Sequence, residues 1–580
     1  PDLGDIDLGC ENAETPVPYI DLVCELLEEA INPEAGINFT GALSGGANPT
    51  QGKISNGLLS VLQTAGLPVT DQALIFETET TTGTAATLPH YLRDKQVVCK
   101  IINTGGNNYN VFRLRQTLLP AEELAAAPEY VNTATYNTLK GANYAFKLPF
   151  DLDHTEAKAY FNRFDILRAT LMEDFQSAGT PADEAIAAEK LGLTAAERNL
   201  ILTPKANLID QQSCWNAPAQ WDTPPVMGNV LDYMTRVDHF LDKTGLTYND
   251  LDLLLALGFI DPADNLFIKH LDLSCDTAQK EIANLNVAAL DRIHRFLRWQ
   301  KKTGWKLEVL DEIISQTKLG NGTLNDACLV KAADLLKLSE QTGIKIDELT
   351  GFYGEIPHTV LTDDAPKPLY QQIFLNKAKN GFIDEGLLPE KIDGTSLLSN
   401  FITSISVCLQ IKEQDLNKLL PLLPDGDLTF SNLSSLFAAS RLMRKMKLKA
   451  DDYVILTDLT GLNPSNSPAD TLDFVEAVNS LNKSPLKLAD VQFMLQHEAG
   501  NLADREIKDD KIKQILEKLQ QDYQSNFSTN KSLFNANMSA QEQKEILQNA
   551  LAKLSSVGEE DVKTFLKFIE RDWTSANDAK

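Results

Sequence analysis

Five segments of the sequence superimpose on one spacing, and that shared register limits the fold more than any single residue does. Counted from Leu231, Leu290, Leu329, Leu433 and Thr471, residues recur three positions on at Met234, Ile293, Ala332, Leu436 and Phe474, and six on at Val237, Phe296, Leu335, Ala439 and Ala477. Position fourteen holds Gly245, Gly304 and Gly343, then Lys447 and Pro485. Apolar residues return at fifteen (Leu246, Trp305, Ile344, Leu448, Leu486), at twenty (Leu251, Leu310, Leu349, Tyr453, Val491) and at twenty-three (Leu254, Ile313, Phe352, Leu456, Met494). Spacings of three and six or seven lay apolar residues along one face of a helix. Glycine at fourteen suits the left-handed residue that ends a helix, because it has no Cβ to clash. A second helix follows, and four of the five units place an acid just before its first anchor: Asp250, Glu348, Asp452 and Asp490. There a carboxylate faces the positive end of the helix dipole. Thr247 and Asp250 also fit a loose capping box, whereas the other units carry lysine at that position and have weaker caps.

The unit is therefore a helical hairpin. Starts at 290 and 329, and at 433 and 471, lie about 38 residues apart, and a fainter copy near 396 (Ile402, Ile411, Leu416, Leu419) fills the interval before 433. Periods of this size mark stacked arrays in which no unit buries its face alone. The expected fold is mainly α: stacked helical hairpins of a shell or solenoid kind, with a small β-hairpin element near residues 96–114.

Composition narrows the class. A chain of 580 residues exceeds one compact core. A net charge of −28 argues strongly against nucleic acid as a partner, because phosphates are repelled at every approach. It also disfavours anionic membrane surfaces. No apolar run reaches the roughly 18 residues that a membrane helix needs, and no secretory signal opens the chain. The start on Pro1 points to a processed chain or a piece of a longer one. Seven cysteines (10, 24, 99, 214, 275, 328, 408) are scattered with no CxxC pair, which reads as small core residues of a protein folded in a reducing compartment.

Along the chain, a helix is expected over Tyr19–Ile31, with Leu22, Val23, Leu26 and Leu27 on its apolar side. Residues 36–57, rich in Gly, Ser, Asn and Thr, read as an exposed loop. The runs 96–102 and 109–114 flank Asn103-Thr104-Gly105-Gly106-Asn107-Asn108 and predict a hairpin. The span 36–116 has room for a small inserted β element. Ala182–Lys190 favours helix, with Thr180 as cap and Pro181 in the first turn. The segment 215–225, with three prolines, reads as a joint, and 500–545 as long polar helices or a connector. The expected domains are 1–220, a helical region with a small β insertion; 221–500, the repeat array; and 501–580, polar helices.

Local motifs for chemistry fail on inspection. Gly46 to Lys53 places five residues between its glycines instead of four, and Ile54 follows where a phosphate loop needs a hydroxyl. Asp5-Ile6-Asp7 and Asp425-Gly426-Asp427 do not continue into a calcium loop. Asp151, Asp153 and His154 follow Leu148-Pro149-Phe150, where helix-capping aspartates are expected rather than metal ligands. The histidines 90, 154, 239, 270, 294, 358 and 497 are isolated, and no HExxH or GxSxG occurs. His239 and His294 fall in the first helices of their units, which favours packing; imidazole chemistry alone also permits a pH-sensing role. No catalytic, cofactor-binding or metal-binding residue is assigned.

One resemblance is specific. The run Cys10-Glu11-Asn12-Ala13-Glu14-Thr15-Pro16-Val17-Pro18-Tyr19-Ile20-Asp21-Leu22-Val23 resembles a signature of the A subunits of bacterial insecticidal toxin complexes (Tc toxins). So do Tyr130–Tyr136, Phe146–Asp151, Ile166–Phe175, Leu290–Phe296 and Leu369–Asn376. The resemblance implies a very large pentameric protein whose helical shell encloses a translocation channel and opens on a pH shift. This chain corresponds to the amino-terminal part of that shell. It lacks the channel helices, the apolar channel tip and the segment that docks the cocoon-forming partner. The resemblance further implies no enzyme activity, no cofactor, neighbouring copies of the same subunit and a host cell-surface receptor as partners, and a bacterial cytoplasmic origin followed by secretion or surface display without a classical signal peptide. Departing from the family, the repeats leave little room for its β-sandwich receptor-binding insertions. The alternative function is a helical-repeat module that binds a host receptor, glycan or protein partner through its concave face or the 96–114 hairpin. A glycosidase is the remaining reading, and no sialidase Asp-box supports it.

Overall fold

The computed structural model describes residues 19–33, 35–77, 90–94, 97–113, 132–218, 221–223, 226–496, 509–530, 538–555 and 558–569. The chain divides into two compact units, 1–477 and 478–580. Both are built mainly from helices, as the register requires.

The repeat array forms helical hairpins at every expected place. First helices span Val287–Thr303, Asp326–Thr342, Phe430–Met446 and Pro468–Lys483, and second helices Tyr248–Leu255, Leu307–Ser315, Ile346–Leu349, Ala450–Thr460 and Leu488–Gln496. The faint copy near 396 is also a hairpin, Ile402–Leu409 followed by Glu413–Leu419. Position fourteen is left-handed in five units: Gly245, Gly304 and Gly343, and equally Gln410 and Lys447. The anchors Met234, Ile293, Ala332, Leu436 and Phe474 are all buried. The Thr247 cap forms as expected, its hydroxyl accepting from the Asp250 amide while the Asp250 carboxylate accepts from that of Thr247. Lys306, Lys345 and Lys449 give no side-chain cap.

Lys447 holds φ 56° with a side chain, a conformation that costs an L-residue about 1–2 kcal/mol where glycine pays no steric penalty. Lys447→Gly is therefore expected to raise stability by up to about 1 kcal/mol, after glycine's extra unfolded-state entropy is subtracted. A thermal melt with an unchanged or lower midpoint would show that the hinge stores no such strain.

Two units depart from the ideal. The first helix of the first unit breaks into Val230–Thr235 and Val237–Thr244. Arg236 between them is extended and bridges to Glu281, so a strand from outside the unit takes the backbone bonds that a continuous helix would use. In the fifth unit Leu486, just ahead of the second helix, and Met494 within it are exposed.

Ahead of the array, helix Tyr19–Ile31 forms with the expected bounds, but Leu27 is 58% exposed and does not join an apolar seam. This helix pairs with Thr133–Gly141, where the Thr135 hydroxyl donates to the Glu28 carbonyl at 2.9 Å. Between these two helices in sequence lies an antiparallel sheet of six strands: β1 (Ile37–Thr40), β2 (Gly52–Lys53), β3 (Leu74–Glu77), β4 (His90–Arg93), β5 (Val98–Gly105) and β6 (Asn108–Arg113), in the order β1-β6-β5-β4-β3-β2. The expected hairpin is its β5–β6 pair, closed by a tighter turn at Gly106-Asn107. Phe39, Ile75, Leu92, Cys99, Ile101 and Val111 turn one face of the sheet onto helix Asn56–Thr64, which is capped by the Ser55 hydroxyl.

The reading of 36–57 as an exposed loop is corrected by this sheet. β1 pairs with β6, Leu43 and Ile54 are buried, and only the stretch around 45–51 is an open turn. The apolar alternation there is only two residues long, and it gains its meaning from a partner strand some seventy positions away in the chain. Thr180 is likewise not a cap: it pairs with Ser177 across a tight turn, and Ala182 stands at the start of helix Asp183–Lys190. Small hairpins at Trp221–Thr223/Val226–Gly228 and Phe267–His270/Lys280–Ala283 had no periodicity long enough to announce them.

Candidate functional site

The residues weighed from sequence do not converge. Asp151 caps helix Leu152–Arg163, accepting from the His154 amide at 3.2 Å, and pairs with Lys140 at 2.8 Å. Asp153 is almost fully exposed. The loop before Lys53 is a surface turn, and Lys53 pairs with Asp71. Asp425 accepts from the Asp427 amide and the Asn432 side chain, which makes that segment a turn. Asp5, Asp7, Cys10 and His497 lie outside the described residues. Cys99, Cys214, Cys328 and Cys408 are buried free thiols, while Cys24 and Cys275 are exposed. Among the described residues no three His, Cys, Asp or Glu side chains gather as metal ligands would. No helix among them is long and apolar enough to cross a membrane.

Three of the histidines serve packing. His239 stacks on Tyr233 with ring centroids 4.1 Å apart, and His358 on Phe430 at 3.8 Å. His294 sits between Phe146 and Trp215, at 5.7 and 5.5 Å. Burial and the adjacent Arg298 push its imidazole down to about 3, so it stays neutral at physiological pH and senses nothing there. Arg298 is itself buried and donates to the carbonyls of Leu148 and Asn143, tying the 143–150 segment to helix Val287–Thr303.

What the fold does bring together is a set of titratable carboxyls at contacts between helices. Helix Asp326–Thr342 packs along helix Asp183–Lys190. Asp334 at this contact is pushed up to about 6, first by burial, then by Glu173 and Asp183, with Lys190 and Lys337 pulling the other way. Burial also opposes ionisation of Glu173, but Lys190 at 2.5 Å and Lys337 at 3.4 Å outweigh it and hold that carboxyl below its ordinary range. Two acids thus share two lysines, and the second acid titrates late.

The other group is on helix Leu307–Ser315. Asp311 accepts the amides of Gly258 and Phe259 at 3.2 and 2.8 Å and so joins the first unit to the second; burial still raises its carboxyl. Beside it, burial, with a smaller contribution from Asp311, pushes Glu312 up to about 7. Gln316 donates to Glu312 at 2.7 Å and exchanges two hydrogen bonds with the backbone of Glu355, at 2.6 and 3.1 Å. A proton on Glu312 therefore changes charge at a clamp between the second and third hairpins. Sequence spacing gives no sign of either group, because each is an ordinary acid beside an apolar anchor.

The fold defines an array of helical hairpins with left-handed hinges and an antiparallel sheet inserted ahead of it. No family model and no protein of curated function matches the sequence. Among solved structures the chain is similar to Morganella morganii TcdA4, with 11% identity and a TM-score of 0.43, over 64% of this chain and 21% of that one. It is also similar to Yersinia pseudotuberculosis TcaA–TcaB, with 13% identity and a TM-score of 0.33, over 68% of this chain and 20% of that one. The chain spans about a fifth of the length of the structures it matches.

Proposed function

We propose that this chain is a structural segment of the helical shell of a toxin-translocating A subunit, without catalysis of its own, that helps to enclose the channel and to respond to pH. In the full-length parent it packs beside neighbouring copies of the same subunit in a pentamer, displayed at or released from the bacterial surface. The observation that carries the reading is the hairpin array, kept in one register with a left-handed hinge in five units. The toxin-complex sequence blocks at 10–23, 166–175 and 290–296 point the same way. The pH response rests on Asp334 and Glu312, whose carboxyls burial pushes up to about 6 and about 7 at contacts between helices.

Electron microscopy of the parent protein at neutral and shifted pH tests the proposal. A hollow bell with these hairpins in its wall, opening on the shift, is the expected result. A monomeric rod with no channel would end the shell reading. The inserted sheet, larger than a lone hairpin, favours a second reading as a binding module. Glycan and protein arrays probed with and without residues 37–113 would lose a hit only under that reading.

A further inference from the structure

Helices Thr133–Gly141, Leu152–Arg163, Arg168–Asp174, Asp183–Lys190 and Ala195–Leu202 enclose a cleft of about 420 Å³, within the range of small-molecule sites. The Glu189 side chain on its floor is only 5% exposed. One guanidinium, that of Arg168, already neutralises this carboxylate, and Arg168 is itself a third exposed. Yet His154 also turns to Glu189, its Nε2 at 2.7 Å from the carboxylate. A buried acid needs one cation to be tolerated. A second partner that is an imidazole lining the same cleft fixes the ring instead. With its Nε2 engaged by Glu189, the ring is held at the cavity, and Arg168 keeps N–H groups that its contact with Glu189 does not use. The rest of the lining combines paired charges, Lys140 with Asp151 and Arg198 with Asp326, and an apolar part that includes Ala157, Met172 and Leu193.

We propose that this cleft binds a small molecule carrying a carboxylate on an apolar body. The carboxylate lies against Arg168, whose planar fork suits two oxygens, with His154 adjoining. The apolar body lies on Met172, Ala157 and Leu193, where it leaves water. Glu189 takes no part in contact; it sets the positions of the arginine and the imidazole. The cleft is independent of the shell reading, since it lies ahead of the array and involves neither Asp334 nor Glu312.

Sodium hexanoate, with hexanamide as its neutral isostere and inorganic phosphate as a bare-anion competitor, tests the proposal by saturation-transfer NMR on the whole chain at about 5 mM ligand, where millimolar affinity is visible. Hexanoate is expected to give a signal that hexanamide does not, and that inorganic phosphate added at equal concentration as a competitor leaves in place. Met172→Trp, which fills the cleft without touching a charge, should abolish it. Arg168→Gln should weaken it by about tenfold, the loss of one charge-assisted contact. Circular dichroism verifies that each variant is folded, and if Arg168→Gln is not, Met172→Trp and the hexanamide comparison still decide. No hexanoate signal, an equal one from hexanamide, one that phosphate competes away, or an undiminished one in folded Met172→Trp would overturn the proposal.

Discussion

Ile313→Ala is expected to destabilise the chain by about 2–5 kcal/mol, and Met494→Ala to change stability by less than about 0.5 kcal/mol. Both residues stand at position twenty-three of their units, so the repeat register treats them alike. Ile313 is completely buried between the second and third units, and removing three carbons there leaves a cavity that rigid neighbours close only in part. Met494 is 52% exposed, and its truncation mostly returns to water a side chain that was already there. Chemical denaturation of the two variants checks this. Equal losses would mean that the fifth unit is covered as fully as the second, and a loss under 1 kcal/mol at Ile313 would undo the account of the core.

Glu312→Gln is expected to stabilise the protein at pH 8 by about 2 kcal/mol and to leave it unchanged at pH 4. The sign follows from proton linkage. In the folded chain the carboxyl is pushed up to about 7 by burial, against an ordinary 4.5 when unfolded. Below 4.5 both states hold the proton and the group costs nothing. Between 4.5 and 7 the unfolded chain releases it while the folded chain keeps it, so stability falls as pH rises; above 7 the loss is complete. The full shift corresponds to about 3 kcal/mol, and the partly open side of the residue reduces that. Glutamine keeps the acceptor for Gln316 but carries no charge at any pH. Denaturation midpoints measured from pH 4 to 8 should therefore fall in the parent chain and fall less in the variant. Parallel profiles would show that Glu312 ionises without cost.

The helical half was legible because its information is local. Ile293, Leu310 and Ile313 repeat at helical spacing within one hairpin, and a glycine with no Cβ marks the turn, so composition and spacing over some twenty-five residues suffice. The same locality revealed the β5–β6 hairpin, where two β-rich runs face each other across Gly106-Asn107. It failed for β1: Ile37 and Phe39 are two apolar residues in a polar stretch until β6, far along the chain, pairs with them. It failed for Thr180, whose turn is closed by Ser177 rather than by the helix that follows. Gln410 and Lys447 show the limit from the other side, since the hinge forms there without glycine because the helices on either side are already packed.

The candidate titratable groups and the cleft lie beyond any local reading. Asp334 and Glu312 are unremarkable letters beside leucines and isoleucines; their displaced protonation comes from burial against helices remote in sequence. His154 and Glu189 are thirty-five positions apart and meet only when two short helices pack. By itself the sequence determined the class of fold, the hairpin unit, the glycine hinges and the net charge. Tertiary structure alone decided which anchors are covered, how far the sheet extends and which acids are dry, because burial and charge pairing depend on what packs opposite a residue, and spacing along one helix carries no record of that.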